Sequence, residues 1–251
     1  MSWLLLRGLS RERRHWGSFP AELARATGEK TLCLDLPGFG TESKRPSPRA
    51  IPLITDDLRR RFDEERGTER WSILGVSLGG MIALDWCARH PSDFESCVTI
   101  NTSSRASWAL ERFRLPGLRA FVGAFTSNPI AKELITLRTI SNKPASELEA
   151  LAIEHAKWHR ECPPTKQSLA YQLRAASKFE VPTNIETPVL VLASRTDRLV
   201  SYRCSERIAK AIPAAELVLH DRGGHDLPLD EPAWVCERVA AFRSRAQPKV
   251  R

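Results

Sequence analysis

The stretch that most constrains the fold is Ile73-Leu74-Gly75-Val76-Ser77-Leu78-Gly79-Gly80. An apolar strand (Trp71 to Leu74) runs through G-x-S-x-G into a helix (Gly79 to His90). A turn that tight strains the serine backbone, and side chains two residues either side would strike neighbouring main chain. Gly75 and Gly79 remove those side chains. The strain holds the Ser77 hydroxyl clear of the sheet, at a helix N-terminus where free N–H groups favour developing negative charge. Taken alone, the same residues also suit a glycine-rich turn carrying an ordinary serine.

The pattern around it repeats strand and helix. Ser2–Leu6, Lys30–Leu36, Trp71–Gly75 and Glu95–Asn101 read as buried strands. Between them lie helical patterns at His15–Ala26 and Ile54–Arg66 and the helix after Ser77. Alternation of this kind predicts a parallel sheet covered on both faces. From Arg105 to Asn184 the period turns helical, broken by Pro116-Gly117, Pro129, Pro144 and Pro163-Pro164. Ser146-x-x-Glu149 predicts a capping box opening a helix to about Glu161. The strand–helix pattern resumes at Pro188–Ala193, Tyr202–Ile212, Glu216–His220 and Pro232–Arg243. The expected organisation is one α/β core, 1–104 and 185–251, interrupted by a helical cap at 105–184, in a 251-residue chain. The tail from Arg245 is expected to fray.

A nucleophilic serine needs a base and a carboxylate to orient the base. After the Leu190-Val191-Leu192 strand comes Asp197. After the Leu217-Val218-Leu219 strand comes Gly223-Gly224-His225. Serine, acid and histidine thus follow in order, each at the carboxyl end of a strand, the edge where open α/β sheets bind ligands. Asp35 and Asp226 are rival acids. Asp35 opens a Pro-Gly turn and is expected to fix it, and Asp226 is adjacent to the base with its side chain directed elsewhere. The strand ending at Ile100 is followed by Asn101-Thr102-Ser103-Ser104, with no carboxylate.

These residues resemble the α/β-hydrolase superfamily over nearly the whole chain. Asp35-Leu36-Pro37-Gly38-Phe39-Gly40 is similar to its D-x-P-G-x-G turn, Gly75 to Gly80 to its elbow, and Asp197 and Gly224-His225 to its acid and base motifs. Within the superfamily the likeness is to small capped esterases such as the pimeloyl-carrier-protein methyl ester esterases. It implies an α/β-hydrolase fold with a mostly parallel sheet of about six strands, the family's N-terminal hairpin being missing. It also implies a catalytic triad of Ser77, Asp197 and His225, an oxyanion hole from the backbone amides of Leu9 and Leu78, and no cofactor. The family's His-Gly before the oxyanion loop is Arg7-Gly8 here. Arg7 either replaces structural hydrogen bonds of that histidine or meets an anionic substrate group.

Trp108, Leu115, Phe121 and His155 are candidates to line a substrate pocket, with insertion-core packing as the alternative for each. His155 and His159 are four apart with Cys162 near, but no acid completes a zinc motif, so no metal is expected. The net charge of +8 contains no dense basic block, which argues against nucleic acid. Residues 105–184 hold twelve Lys and Arg against seven Asp and Glu, a bias that would steer an anionic acyl donor or an acidic acyl carrier protein, or else a solvated helical face. No apolar run approaches membrane-spanning length. Six cysteines without a C-x-x-C pair suit reduced thiols and a cytoplasmic location. The expected activity is a serine hydrolase acting on a small carboxylic ester through an acyl-enzyme. The alternatives are acyl transfer or thioester hydrolysis with the same triad, or a non-catalytic ligand-binding protein on this scaffold.

Overall fold

In the computed structural model, which describes residues 1–119, 128–213 and 215–246, six parallel strands form one sheet in the order β2-β1-β3-β4-β5-β6. They are β1 (Ser2–Leu6), β2 (Lys30–Leu34), β3 (Trp71–Val76), β4 (Cys97–Ile100), β5 (Val189–Ser194) and β6 (Ala215–His220). Helices α1 (Phe19–Thr27), α2 (Ile51–Glu65) and α3 (Leu78–Arg89) link the first four strands. Between β4 and β5 lie α4 (Ala109–Arg112), α5 (Pro129–Ile140), α6 (Ala145–Glu161) and α7 (Lys166–Ser177). Helices α8 (Tyr202–Ala211), α9 (Leu227–Asp230) and α10 (Pro232–Ala246) complete the chain. No helix among the described residues is long and apolar enough to cross a membrane.

The strands are apolar on both faces because helices cover both. On one face Leu4, Leu6, Ile73 and Val191 pack with Ile54, Leu58 and Phe62 of α2 and Met81 and Ile82 of α3. On the other, Trp3, Leu5, Leu74 and Leu192 meet Phe19 and Leu23 of α1 and Val235 and Val239 of α10. Within β1 the side chains alternate between these two cores, the period of two that a pleated strand imposes.

The strand order places the site. The chain goes from β1 outward to β2 and returns to β3 on the opposite side of β1, with Leu6 in register with Gly75. The loops leaving β1 and β3 therefore diverge at their carboxyl ends and open the crevice where ligands bind in such sheets.

Three helix starts differ from expectation, the simplest being α2, which opens at Ile51 and not Ile54, with Pro52 in its first turn. The pattern read as one helix from His15 is broken at Gly17, whose φ of 54° is left-handed. Arg13–Trp16 forms a separate short turn, and α1 begins at Phe19 with Pro20 in its first turn. The capping box at Ser146 is not used. Pro144, with φ −55° and ψ 148°, occupies the cap position and sends the chain straight into α6 at Ala145, so Ser146 already lies inside the helix.

Candidate active site

Ser77 lies between β3 and α3 with φ 55° and ψ −112°. Main chain fills the space beside both flanking glycines. A Cβ on Gly75 would sit 2.2 Å from the Gly79 carbonyl carbon and oxygen, and one on Gly79 would sit 2.2 Å from the Leu6 carbonyl oxygen. The β1 loop runs directly against the serine, since a Cβ on Gly8 would lie 3.2 Å from Ser77 Cβ. Leu9 follows Gly8 in that loop. Leu78 is the first residue of α3, so its amide has no intrahelical partner. Among the described residues only Ser10, Ser77 and Asn101 are non-glycine with positive φ. They stand just past the ends of the neighbouring strands β1, β3 and β4. Backbone strain gathered at one sheet edge marks a functional region.

His225 Nδ1 lies 2.7 Å from Asp197 Oδ2, and both side chains are buried. The other Asp197 oxygen, Oδ1, accepts from the Leu199 amide at 2.7 Å and the Val200 amide at 2.9 Å. With Nδ1–H donating to Oδ2 in this contact, Nε2 keeps its lone pair. Among the described residues no hydrogen bond runs from the Ser77 hydroxyl to this ring. Such contacts are often long in unliganded sites and tighten on substrate.

The end of β4 joins the three loops. The Ile100 carbonyl accepts from the Ser77 amide at 2.8 Å. The next residue, Asn101, is fully buried and uses its whole side chain. Its Oδ1 accepts from the Ser194 amide, before the acid, at 2.8 Å. Its Nδ2 donates to the His225 carbonyl at 2.7 Å and to the Gly224 carbonyl at 3.2 Å. The base loop is also held from the end of α5, because the Asp226 amide donates to the Ile140 carbonyl at 2.8 Å. Asp230 accepts from the Gly224 and Asn142 amides at 2.6 and 2.8 Å. Asn101 bears no carboxylate and is not among the site residues expected from the sequence. Its signal was an Asn directly after a buried strand, the residue type that best tolerates a left-handed backbone.

The rival acids are occupied elsewhere. Asp35 accepts from the Arg13 amide at 2.6 Å and from the Thr41 amide and hydroxyl at 2.9 and 3.0 Å, which fixes its loop. Asp226 forms a two-pronged ion pair with Arg7, one contact being 3.1 Å from Nη1 to Oδ1. The Arg7 guanidinium also stacks on Trp16, 4.6 Å from the ring centre. Burial would raise the Asp226 carboxyl, but the charge and hydrogen bonds of Arg7 outweigh burial and hold it below its ordinary value. Arg7 is only 3% exposed and engaged by this pair, a geometry that fits the structural alternative.

The substrate-lining candidates occupy different positions. Trp108 is 77% exposed, its amide donating to the Glu111 carboxylate at the start of α4. Leu115 is exposed as well. Phe121 lies outside the described residues. His155 is buried, but beside Glu133 of α5 and His15 of the β1 loop, its ring centre 4.5 Å from that of His15. Glu133 also bonds Arg11 of the β1 loop at 2.7 Å and His159 at 3.0 Å. Among the described residues, His15, Glu133 and His155 have donor atoms that could converge on a metal ion.

Comparison with known proteins agrees with this architecture. The family model described as alpha/beta hydrolase fold matches residues 4–232. A curated relative named "Putative carbamate hydrolase RutD", from Rhizobium rhizogenes, is 28% identical over 99% of this chain and 94% of its own. The biotin biosynthesis bifunctional protein BioHC of Teredinibacter turnerae is 25% identical over 98% of this chain and 45% of its own. Among solved structures, a hydrolase from Pseudomonas aeruginosa superposes with a TM-score of 0.76 at 21% identity, covering 96% of this chain and 89% of that one.

Proposed function

Because the chain belongs to the alpha/beta hydrolase fold family, we propose that it is a serine hydrolase cleaving a carboxylic ester through an acyl-enzyme. His225 Nε2 takes the Ser77 proton as the oxygen attacks the ester carbonyl. Asp197 keeps the ring in the working tautomer and stabilises the imidazolium. The Leu9 and Leu78 amides hold the oxyanion. The imidazolium gives its proton to the leaving alcohol, and water activated by His225 then releases the acid. The observation that carries this reading is the buried His225–Asp197 pair at 2.7 Å, tied through Asn101 to the strand end that anchors the strained Ser77.

In this reading residues 105–184 are a cap over the site. Its contacts with the core loops support that. Glu133 meets Arg11, Gln172 donates to the Pro37 carbonyl at 3.2 Å, and the Ser47 amide donates to Ser168 at 3.2 Å. The cap's basic excess suits an anionic acyl donor or an acidic acyl carrier protein as partner. A second reading is carbamate hydrolysis, drawn from the name borne by the curated relatives that match most of this chain. The same attack on a carbonyl would serve it. Transfer of the acyl group to an acceptor other than water uses the same first half-reaction, as does thioester hydrolysis.

The test is turnover of p-nitrophenyl acetate and butyrate by wild type and Ser77→Ala. The variant is expected to keep its circular dichroism and lose turnover by at least about 10³-fold. Undiminished turnover would remove Ser77 from the mechanism. Graded acyl chains, a carrier-linked methyl ester and an aryl carbamate then rank the substrate classes. Product analysis with added alcohol or amine separates hydrolysis from transfer. Failure of every substrate, together with failure of a fluorophosphonate to label Ser77, would favour a ligand-binding protein.

A further inference from the structure

We propose that His15, Glu133 and His155 form a binding site for a divalent first-row transition ion, best matched by zinc, that clasps the loop after β1 to helices α5 and α6. One donor atom from each residue lies within 4.8 Å of the others. Zinc holds nitrogen and oxygen donors at about 2.0–2.2 Å, so the three need close on the ion by only about 1 Å or less. The three residues are 6%, 2% and 4% exposed, and they come from three different segments.

The strongest sign is what the rings lack. His15 Nε2 is buried with no hydrogen-bond partner, and His155 Nδ1 is buried with only the Glu133 carboxylate near it, at 3.8 Å, beyond hydrogen-bond distance. A buried ring nitrogen without a partner is uncommon and calls for an occupant. The far side of His15 offers both kinds of backbone partner. Its Nδ1 accepts from the Glu12 amide at 3.0 Å and lies 3.2 Å from the Glu12 carbonyl. To bind the ion the ring moves its proton from Nε2 to Nδ1, which then donates to that carbonyl, the arrangement found behind most metal-binding imidazoles. Burial, reinforced by the charge of Arg11, holds His15 well below the usual imidazole range, so no ring charge opposes the ion.

Glu133 is oriented in the same way. Arg11 binds Oε2 at 2.7 Å and His159 binds Oε1 at 3.0 Å. Each carboxylate oxygen has two lone pairs, so Oε2 can accept from Arg11 and still face an ion. The ion retains at least one open position. Arg11 Nη2 is itself buried without a partner, and it would favour an anion such as hydroxide there. The zinc motif considered on α6 alone, His155 with His159 and Cys162, is not this set. The acid comes from α5 and the second histidine from 140 residues earlier in the chain.

The experiment uses the full chain, freed of metal with chelator and titrated with Co2+ and Zn2+. The expected result is one equivalent of Co2+ with visible d–d bands and no thiolate charge-transfer band, displaced by Zn2+. Zn2+ should also raise the melting temperature in a concentration-dependent way. His155→Gln and Glu133→Gln should each weaken Co2+ binding by at least about tenfold. His220→Gln, which alters a histidine paired with Glu231 and outside this set, should leave it unchanged. Wild type that binds no stoichiometric Co2+, or binds it with a thiolate band, overturns the proposal, and a water bridging the two rings then explains the cluster. The wild-type spectrum decides this even if a variant does not fold. None of these readouts uses ester turnover, so the outcome is independent of the role given to Ser77.

Discussion

Replacing Asn101 by Ala removes a side chain that makes three buried hydrogen bonds, to the Ser194 amide and to the Gly224 and His225 carbonyls. The Ser194 amide is left as an unpaired buried donor, worth about 1–3 kcal/mol. The two carbonyls lose their donor, for roughly 1 kcal/mol more. Ala must also hold the φ of 48° that Asn tolerates, adding about 1 kcal/mol. The sum is roughly 3–5 kcal/mol, a large share of the 5–15 kcal/mol that ordinarily holds such a domain together. Urea unfolding reads this directly. The catalytic effect follows from the same bonds, because Asn101 fixes the acid strand and the base loop relative to each other. Loss of about 1 Å in the placement of His225 is expected to lower kcat on a p-nitrophenyl ester by roughly 10²-fold with little change in KM. Asn101→Gly separates the contributions. It relieves the backbone strain, so it should be about 1 kcal/mol more stable than the Ala variant yet equally slow. Asn101→Asp keeps the acceptor for Ser194 but turns a carboxylate toward the two carbonyls, and should be slow as well. An Ala variant within about 0.5 kcal/mol of wild type, with unchanged kcat, would refute the reasoning.

Asp226→Asn leaves Arg7 buried without its counter-charge and should destabilise by about 3–5 kcal/mol, whereas Arg7→Met combined with Asp226→Leu should recover most of that. The folded Asp226 carboxyl titrates below its ordinary 3.8, so its contribution is complete above about pH 4 and lost as pH falls further. Melting temperatures between pH 6 and 2 should therefore fall less steeply for Asp226→Asn than for wild type. Gly75→Ala and Gly79→Ala place a methyl 2.2 Å from main chain and should yield no soluble folded protein. Gly8→Ala, with its nearest contacts at 3.2 and 3.3 Å, should fold and lose activity through the shifted Ser77, as expression and turnover will report. Ser77→Gly should gain roughly 1 kcal/mol in urea unfolding, because glycine holds a positive φ without strain, while losing turnover.

What the sequence disclosed and what it hid divide along a physical line. Features set by neighbours in the chain were legible. All six strands were read, since each is a short apolar run bounded by turns, and the sterics of Gly75 and Gly79 require only local geometry. The order of Ser77, Asp197 and His225 was legible because each follows a recognisable strand. The features that escaped depend on pairing at long range. Arg7 finds Asp226 across 219 positions, and Glu133 finds Arg11 across 122. No periodicity reports such encounters. Asn101 was hidden for a chemical reason, because an uncharged amide gives no sign that its donors and acceptor will be spent on three backbone groups. The unused capping box at Ser146 shows a local signal losing to a stronger one. Pro144 two residues earlier sets the backbone before the serine can cap. Trp108, a large apolar residue, stands 77% exposed at the head of α4, a degree of exposure that residue type alone does not announce.

Intact-protein mass spectrometry after treatment with a fluorophosphonate bears most directly on whether these loops make a working nucleophile. Wild type should gain one adduct, mapped by peptide digestion to Ser77. Ser77→Ala should gain none, and His225→Gln should label at least about 10³-fold more slowly. An adduct on another residue, or His225→Gln labelling at the wild-type rate, would contradict the assignment of Ser77, His225 and Asp197 to a single catalytic group.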